Sequence, residues 1–286
     1  MATSEACRSG TGRGRRGMGA RPERTSDMTA LAPEQFVAWM NSHSHKDGRF
    51  GYVYRYHPRS DAHSVALCRF IWRDFLAACP VLRAQAESGR VVCGINVGFT
   101  WPRSGKRKTL DLAVGPPMGG PVEGGLEPFL RLELAQVAVA CEAKSVMTEH
   151  SKSQPRVYDE LSSAHEIVHQ GDQRTIAAGI TIVNISETFV SPLRQTRRRK
   201  PYVSHHRQPA AAAKMVEHLR GLPIRDEPGQ VGFDAYATIV LSCDNLGVAV
   251  LWTEAPAPQP GDRDHYGTLV DRVSRFYSER FGETPS

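Results

Sequence analysis

No stretch of this 286-residue chain approaches the roughly 18 consecutive apolar residues of a membrane-spanning helix, so no membrane partner is expected. Six cysteines (Cys7, Cys68, Cys79, Cys93, Cys141 and Cys243) include no C-x-x-C pair, which argues against a structural zinc site. Their positions inside apolar runs predict buried free thiols in a reducing compartment. The amino-terminal residues lack the apolar core of a secretory signal, and the expected localisation is cytoplasmic. No G-x-x-x-x-G-K-[S/T] loop occurs, which excludes a P-loop ATP motor within the chain. His205 and His206 stand without Cys or acidic partners at zinc spacing, which disfavours a His-metal finger. No internal repeat is visible.

An ordinary apolar content of 40% supports one domain of roughly 250 residues with a tail, rather than two equal halves. The net charge of +6 suits a polyanionic partner. Residues 1–27 are rich in Gly, Arg, Ser and Thr without periodic apolar positions. Such a segment cannot bury enough surface to offset its ordering entropy, and a disordered basic tail is expected. Residues 28–286 form the expected domain, with a core over about 60–190 and a C-terminal extension over about 200–286.

Apolar periodicity predicts a short helix from Pro33 through Met40 and a longer one over 61–78, ended by Pro80. Tyr52–Tyr56 reads as a short extended piece. Residues 90–100 and 108–114 read as a hairpin around Gly105. A helix or strand is expected from Leu126, then a strand over 135–144. Ser153 and Pro155 suit the start of a helix over 153–169. The continuous apolar run 175–186 predicts a strand covered on both faces. A loop carrying RRRK at 197–200 precedes a helix to about Arg220. A second hairpin flanks DNLG at 244–247, and a last helix spans 264–281. The expected fold is α/β, a mixed central sheet flanked by helices, with the C-terminal hairpin and helix as decoration.

Asp111 sits in one apolar strand, and Glu142 and Lys144 sit at the end of another. Positions i and i+2 of a strand share a face, so Glu142 and Lys144 enter one cleft. Two carboxylates supply hard oxygen ligands for Mg²⁺, and Lys144 can orient or deprotonate a water. The plain alternative is a hairpin acid and a same-face salt bridge. The pattern resembles the PD-(D/E)XK nuclease superfamily over residues 60–186, with Leu110 where the motif usually has proline. That resemblance implies a restriction-endonuclease-like fold and Mg²⁺-dependent DNA hydrolysis, with Asp111 and Glu142 as metal ligands, Lys144 as the catalytic lysine, and Mn²⁺ as a substitute ion. Gln154 and Tyr158 are similar to the Q-x-x-x-Y element of RecB-type members. Lys106, Arg107, Lys108, Lys152 and Arg156 are candidate phosphate contacts, against solvated cations as the alternative. Asp74 and His150 are candidate accessory groups.

Restriction or phage defence is the expected role, with DNA as partner; a homodimer and a cognate methyltransferase are the further partners such a role implies. The competing readings are a RecB-like repair exonuclease or junction resolvase, and a non-catalytic DNA-binding or interaction module on the same fold.

Overall fold

The computed structural model describes residues 30–46, 51–195 and 201–282; the tail 1–27 and the RRRK tetrad lie outside the described residues. Pro33, in the first turn where a missing N–H costs nothing, opens α1 (Ala32–Ser42). Short β1 (His45–Lys46) and β2 (Val53–Tyr54) pair antiparallel. The next helix, α2 (Ala62–Ala78), stops before Pro80 as expected, but Pro80 also begins α3 (Pro80–Glu87). One ring ends a helix it cannot join and starts one whose first N–H needs no partner.

β3 (Val92–Thr100) and β4 (Arg107–Gly115) form the expected hairpin, with Gly105 at φ 65° in its turn. The element expected from Leu126 reduces to β5 (Phe129–Leu130). β6 (Val139–Val146) leads into α4 (His150–Gly171) and then β7 (Ile176–Asn184). Ser153 is therefore not the N-cap of α4. Glu149, at φ 53°, precedes the helix, and its carbonyl accepts from Lys152 and Ser153 N–H, closing a first turn upstream of Pro155. The expected loop before residue 209 contains β8 (Thr188–Gln195) and β9 (Pro201–His205), an antiparallel pair. α5 (Ala210–Arg220), β10 (Ala235–Ser242), β11 (Val250–Leu251) and α6 (Tyr266–Phe281) complete the described chain.

Seven strands make one mixed sheet in the order β11-β10-β7-β6-β4-β3-β5. The C-terminal hairpin is thus not a decoration: β10 runs parallel to β7 from Ala235 to Leu241 and continues the sheet. Residues 235–241 of β10 are buried throughout, as an interior strand covered on both faces requires. Leu67, Phe75, Leu82 and Leu269 from α2, α3 and α6 pack with α1 on one face. Leu161 and Met215 from α4 and α5 cover the other. The described part is an α/β sandwich with helices on both faces of a mixed sheet. All cysteines among the described residues are free and buried.

Candidate active site

β4 and β6 pair antiparallel through Val114↔Val139, Ala113↔Ala140 and Leu112↔Cys141, and there the ladder stops. In that register the next positions across from each other are Asp111 and Glu142. The strands part because the β3–β4 hairpin changes face at this level. Ile95 and Leu112 enter one core, whereas Val97 and Leu110, two residues along each strand, enter the other. Regular alternation would keep them together. Between them Asn96 is held at φ 56°, a left-handed conformation that asparagine tolerates better than most residues. The parted strands cannot supply a ladder bond to Ala143, and Asp111 Oδ2 accepts one from its N–H instead, at 2.8 Å.

Glu142 is only 7% exposed. Its Oε1 lies 2.7 Å from Lys144 Nζ and its Oε2 lies 3.1 Å from Lys108 Nζ. That second contact is ionic only, since buried Oε2 has no hydrogen-bond partner. Lys144 Nζ also approaches Glu160 of α4 at 3.4 Å. Asp111 and Lys144 line a cavity of about 170 Å³ with Tyr56, His63 and Ser145. The Tyr56 and Ser145 hydroxyls are hydrogen-bonded at 2.7 Å. Tyr56 and Glu160 carry no local sequence signal, because they reach the site from the segment before α2 and from α4, whereas Ser145 follows Lys144 on β6.

Burial, and then the charge of Glu142, push the Asp111 carboxyl up to about 6. The Ala143 N–H and the charges of Lys144 and Lys108 offset only part of this. Burial works against the Lys144 charge, but Glu142, Glu160 and Asp111 outweigh it and hold the ammonium above its ordinary value. Lys144 is therefore a fixed cation rather than a proton acceptor at neutral pH, which favours the orienting role over the base role. Burial first, and then the nearby His45, His43 and His57, lower His63 to about 4, so it is neutral there.

Among the described residues no three His, Cys, Asp or Glu side chains converge as a metal cage. The donor set present is two hard carboxylates, one with a buried oxygen lacking a hydrogen bond. Both are oxygen ligands of the kind Mg²⁺ takes, but Asp111 lines the cavity of about 170 Å³ whereas Glu142 lines a separate crevice with Lys108, Leu110 and His165.

Because Asp111 holds its proton more tightly folded than unfolded, its contribution to stability falls as pH rises from about 4 to about 6, and the deficit persists above. The deficit at neutral pH is on the order of 3 kcal/mol. Asp111→Asn keeps an acceptor for Ala143 and removes the charge. In EDTA at pH 7.5 it is expected to melt above the wild type by roughly 5–10 °C, with the gap closing near pH 4. A lower melting point at pH 7.5 would make Asp111 a structural carboxylate.

Of the remaining candidates, Lys108 reaches this cluster directly and Arg156 reaches it through Glu160. Asp74 is buried on α2, where it accepts from Ala32 N at 2.7 Å and from the Tyr266 hydroxyl at 2.8 Å. It fastens α1 and α6 to α2 and is neither an accessory acid beside Asp111 nor a surface ion pair. His150 Nε2 donates to the Asn184 carbonyl at 2.7 Å and its ring is buried, so it ties α4 to β7. The Tyr158 hydroxyl donates to Gly221 O at 3.1 Å and its ring packs on His218, directing it to α5 and away from Lys144. Gln154, on the same helix, is half-buried. Lys106 Nζ reaches Gln170 Oε1 at 2.7 Å, Lys152 pairs with Glu149 at 3.5 Å, and Arg156 pairs with Glu160 at 3.4 Å. Arg107 is exposed. Of the basic hairpin residues, Lys108 alone is brought to Glu142.

Comparison of the chain with family models, with curated proteins and with solved structures returned no match.

Proposed function

We propose that the chain is a Mg²⁺-dependent deoxyribonuclease of the PD-(D/E)XK type, acting as an endonuclease in restriction or phage defence. The observation that supports this reading is the cavity in which the raised Asp111 carboxyl meets Lys144, whose ammonium lies 2.7 Å from Glu142. A structural salt bridge explains Glu142 and Lys144 but not a second, partly buried carboxylate whose proton is retained up to about pH 6. Bound Mg²⁺ would supply charge relief on the phosphate and a more acidic water. Asp111 and Glu142 would hold it, and its charge would offset the repulsion that raises the Asp111 carboxyl. Lys144, kept charged by Glu142 and Glu160, would orient the attacking water and offset charge developing on the phosphate oxygens. Lys108 would neutralise Glu142 in the same way from the hairpin side.

The Tyr158 bond to α5 removes the support that its spacing from Gln154 lent to a RecB-like exonuclease. Purified protein incubated with supercoiled and linear plasmid is expected to cut both with Mg²⁺ and neither with EDTA. Asp111→Asn and Glu142→Gln are expected to lose this cleavage and keep DNA binding. Undiminished cleavage by either variant, or none by the wild type, would overturn the reading.

A further inference from the structure

Four histidines from four segments meet beside the Asp111 cavity. His43 follows α1, His45 lies in β1, His57 falls between β2 and α2, and His63 is the second residue of α2. The His45 ring is their hub, its centre 5.4 Å from that of His43, 5.9 Å from His57 and 5.1 Å from His63. Trp39 of α1 stacks on His43 at 4.3 Å and meets His63 edge-on at 5.3 Å. His63 is only 5% exposed, and its Nε2 donates to the Arg55 carbonyl at 2.9 Å, which leaves Nδ1 a buried acceptor without a partner. His45 Nε2 is also buried and unpartnered.

The groups around the cluster do not welcome further positive charge. The Arg55 guanidinium, fixed on the Asn41 and His43 carbonyls, is a cation already present. His63 stands in the first turn of a 17-residue helix, where the dipole disfavours a cation. Lys46, Arg59 and Asp61 are exposed, and Asp244 of the adjoining turn is taken up by the Leu246 and Gly247 amides. Asp111 and Lys144 line the same cavity as His63. Tyr54 stands opposite His45 in β2, and the Tyr56 ring lies 4.6 Å from His63.

We propose that the four histidines form an acid-released latch, which holds β1 against α2 while they are neutral and lets it go when they take up protons. Imidazolium ions at these ring separations repel each other, and burial penalises each charge, so a proton enters more readily once a ring has left the cluster. Burial, and then His43 and His57, lower His45. Burial, followed by the three neighbouring imidazoles, lowers His63 to about 4 against the pull of the Arg55 carbonyl. Folded values below the unfolded one mean that the latch is closed above about pH 6.5 and weakens as pH falls toward about 4. Release would strip the packing behind His63 and Tyr56, two walls of the Asp111 cavity. The latch does not depend on the nuclease reading.

Hydrogen exchange of the full chain in EDTA at pH 7.5 and 5.0, corrected for the intrinsic rate and read by mass spectrometry, tests it. Exchange over residues 39–46 is expected to rise at least about tenfold at pH 5.0, while residues 176–184 of β7 stay unchanged. His45→Gln, a polar side chain that takes no proton, is expected to hold the rise under about threefold. His57→Gln, at a half-buried position outside helix and strand, is expected to reduce the rise too and decides the matter if the hub variant fails to fold. No rise in the wild type, an equal rise in β7, or a full rise in either folded variant would each overturn the proposal.

Discussion

Lys144→Met is expected to lower the single-turnover rate of DNA cleavage by roughly 10²–10³-fold, the usual cost of one preorganised donor at a developing charge. Its effect on stability is expected to be small. Methionine fills much of the lysine stem's volume, and Glu142 keeps Lys108 at 3.1 Å, so no carboxylate is stranded without a cation. A purely structural Lys144 predicts the reverse, about 3–5 kcal/mol of stability lost with chemistry untouched. Cleavage rate and melting point measured on one preparation separate the two. Because the Lys144 ammonium is held above its ordinary value, the rate of the wild type should show no loss up to pH 9 from this group. An inflection near neutral pH that disappears in Lys144→Met would mean that the lysine works as a base.

The Asp111→Asn and Lys144→Met expectations rest on one asymmetry. Asp111 is held against its own preference, ionising only above about 6, whereas Lys144 is held with it. A carboxyl that costs stability at neutral pH is what the proposed metal-ligand role expects of Asp111.

The parts of this fold that were legible in the sequence are those encoded within a few residues of each other. α2 and α6 follow from apolar spacing, and β7 follows from an unbroken apolar run. Asp111, Glu142 and Lys144 could be singled out because acids and a lysine inside apolar strands need a reason. What stayed hidden depends on long-range pairing. That β10 lies beside β7 is a register between strands separated by a hairpin and a helix. Lys108 looked like a hairpin-tip cation because its partner is 34 residues away. Nothing near Asp74 in the sequence announces its partners, because the described fold brings Ala32 and Tyr266 to it from both sides in sequence. Pro80 was read for the helix it ends and not for the one it starts.

Asp234→Ala is expected to be the most destabilising single change in the described chain, at about 3–5 kcal/mol, the range for removing one partner of a buried ion pair. Asp234 is fully buried. Its carboxylate joins Arg225 at 3.0 Å, Arg280 at 2.8 Å and His169 at 3.1 Å, and accepts from Ala177 N at 2.8 Å. These bonds tie α4, α6, the start of β7 and the segment before β10 to one point. Alanine would leave two buried guanidiniums facing each other without a counterion. By contrast, the exposed Arg83–Glu87 pair, 57% and 50% accessible, should cost under about 1 kcal/mol when broken. Burial opposes the Asp234 charge, but the bonds from His169 and Arg225, with the charges of Arg225 and Arg280, outweigh it and hold the carboxyl below its usual value. Its stabilisation is therefore full at neutral pH and fades as pH falls below the ordinary carboxylate range toward the lower folded value. Thermal unfolding at pH 7.5 should place Asp234→Ala roughly 10 °C or more below the wild type, with the gap narrowing at acid pH as the wild type loses the same charge. A variant that melts within a degree or two of the wild type would show that the four elements are held together by packing alone.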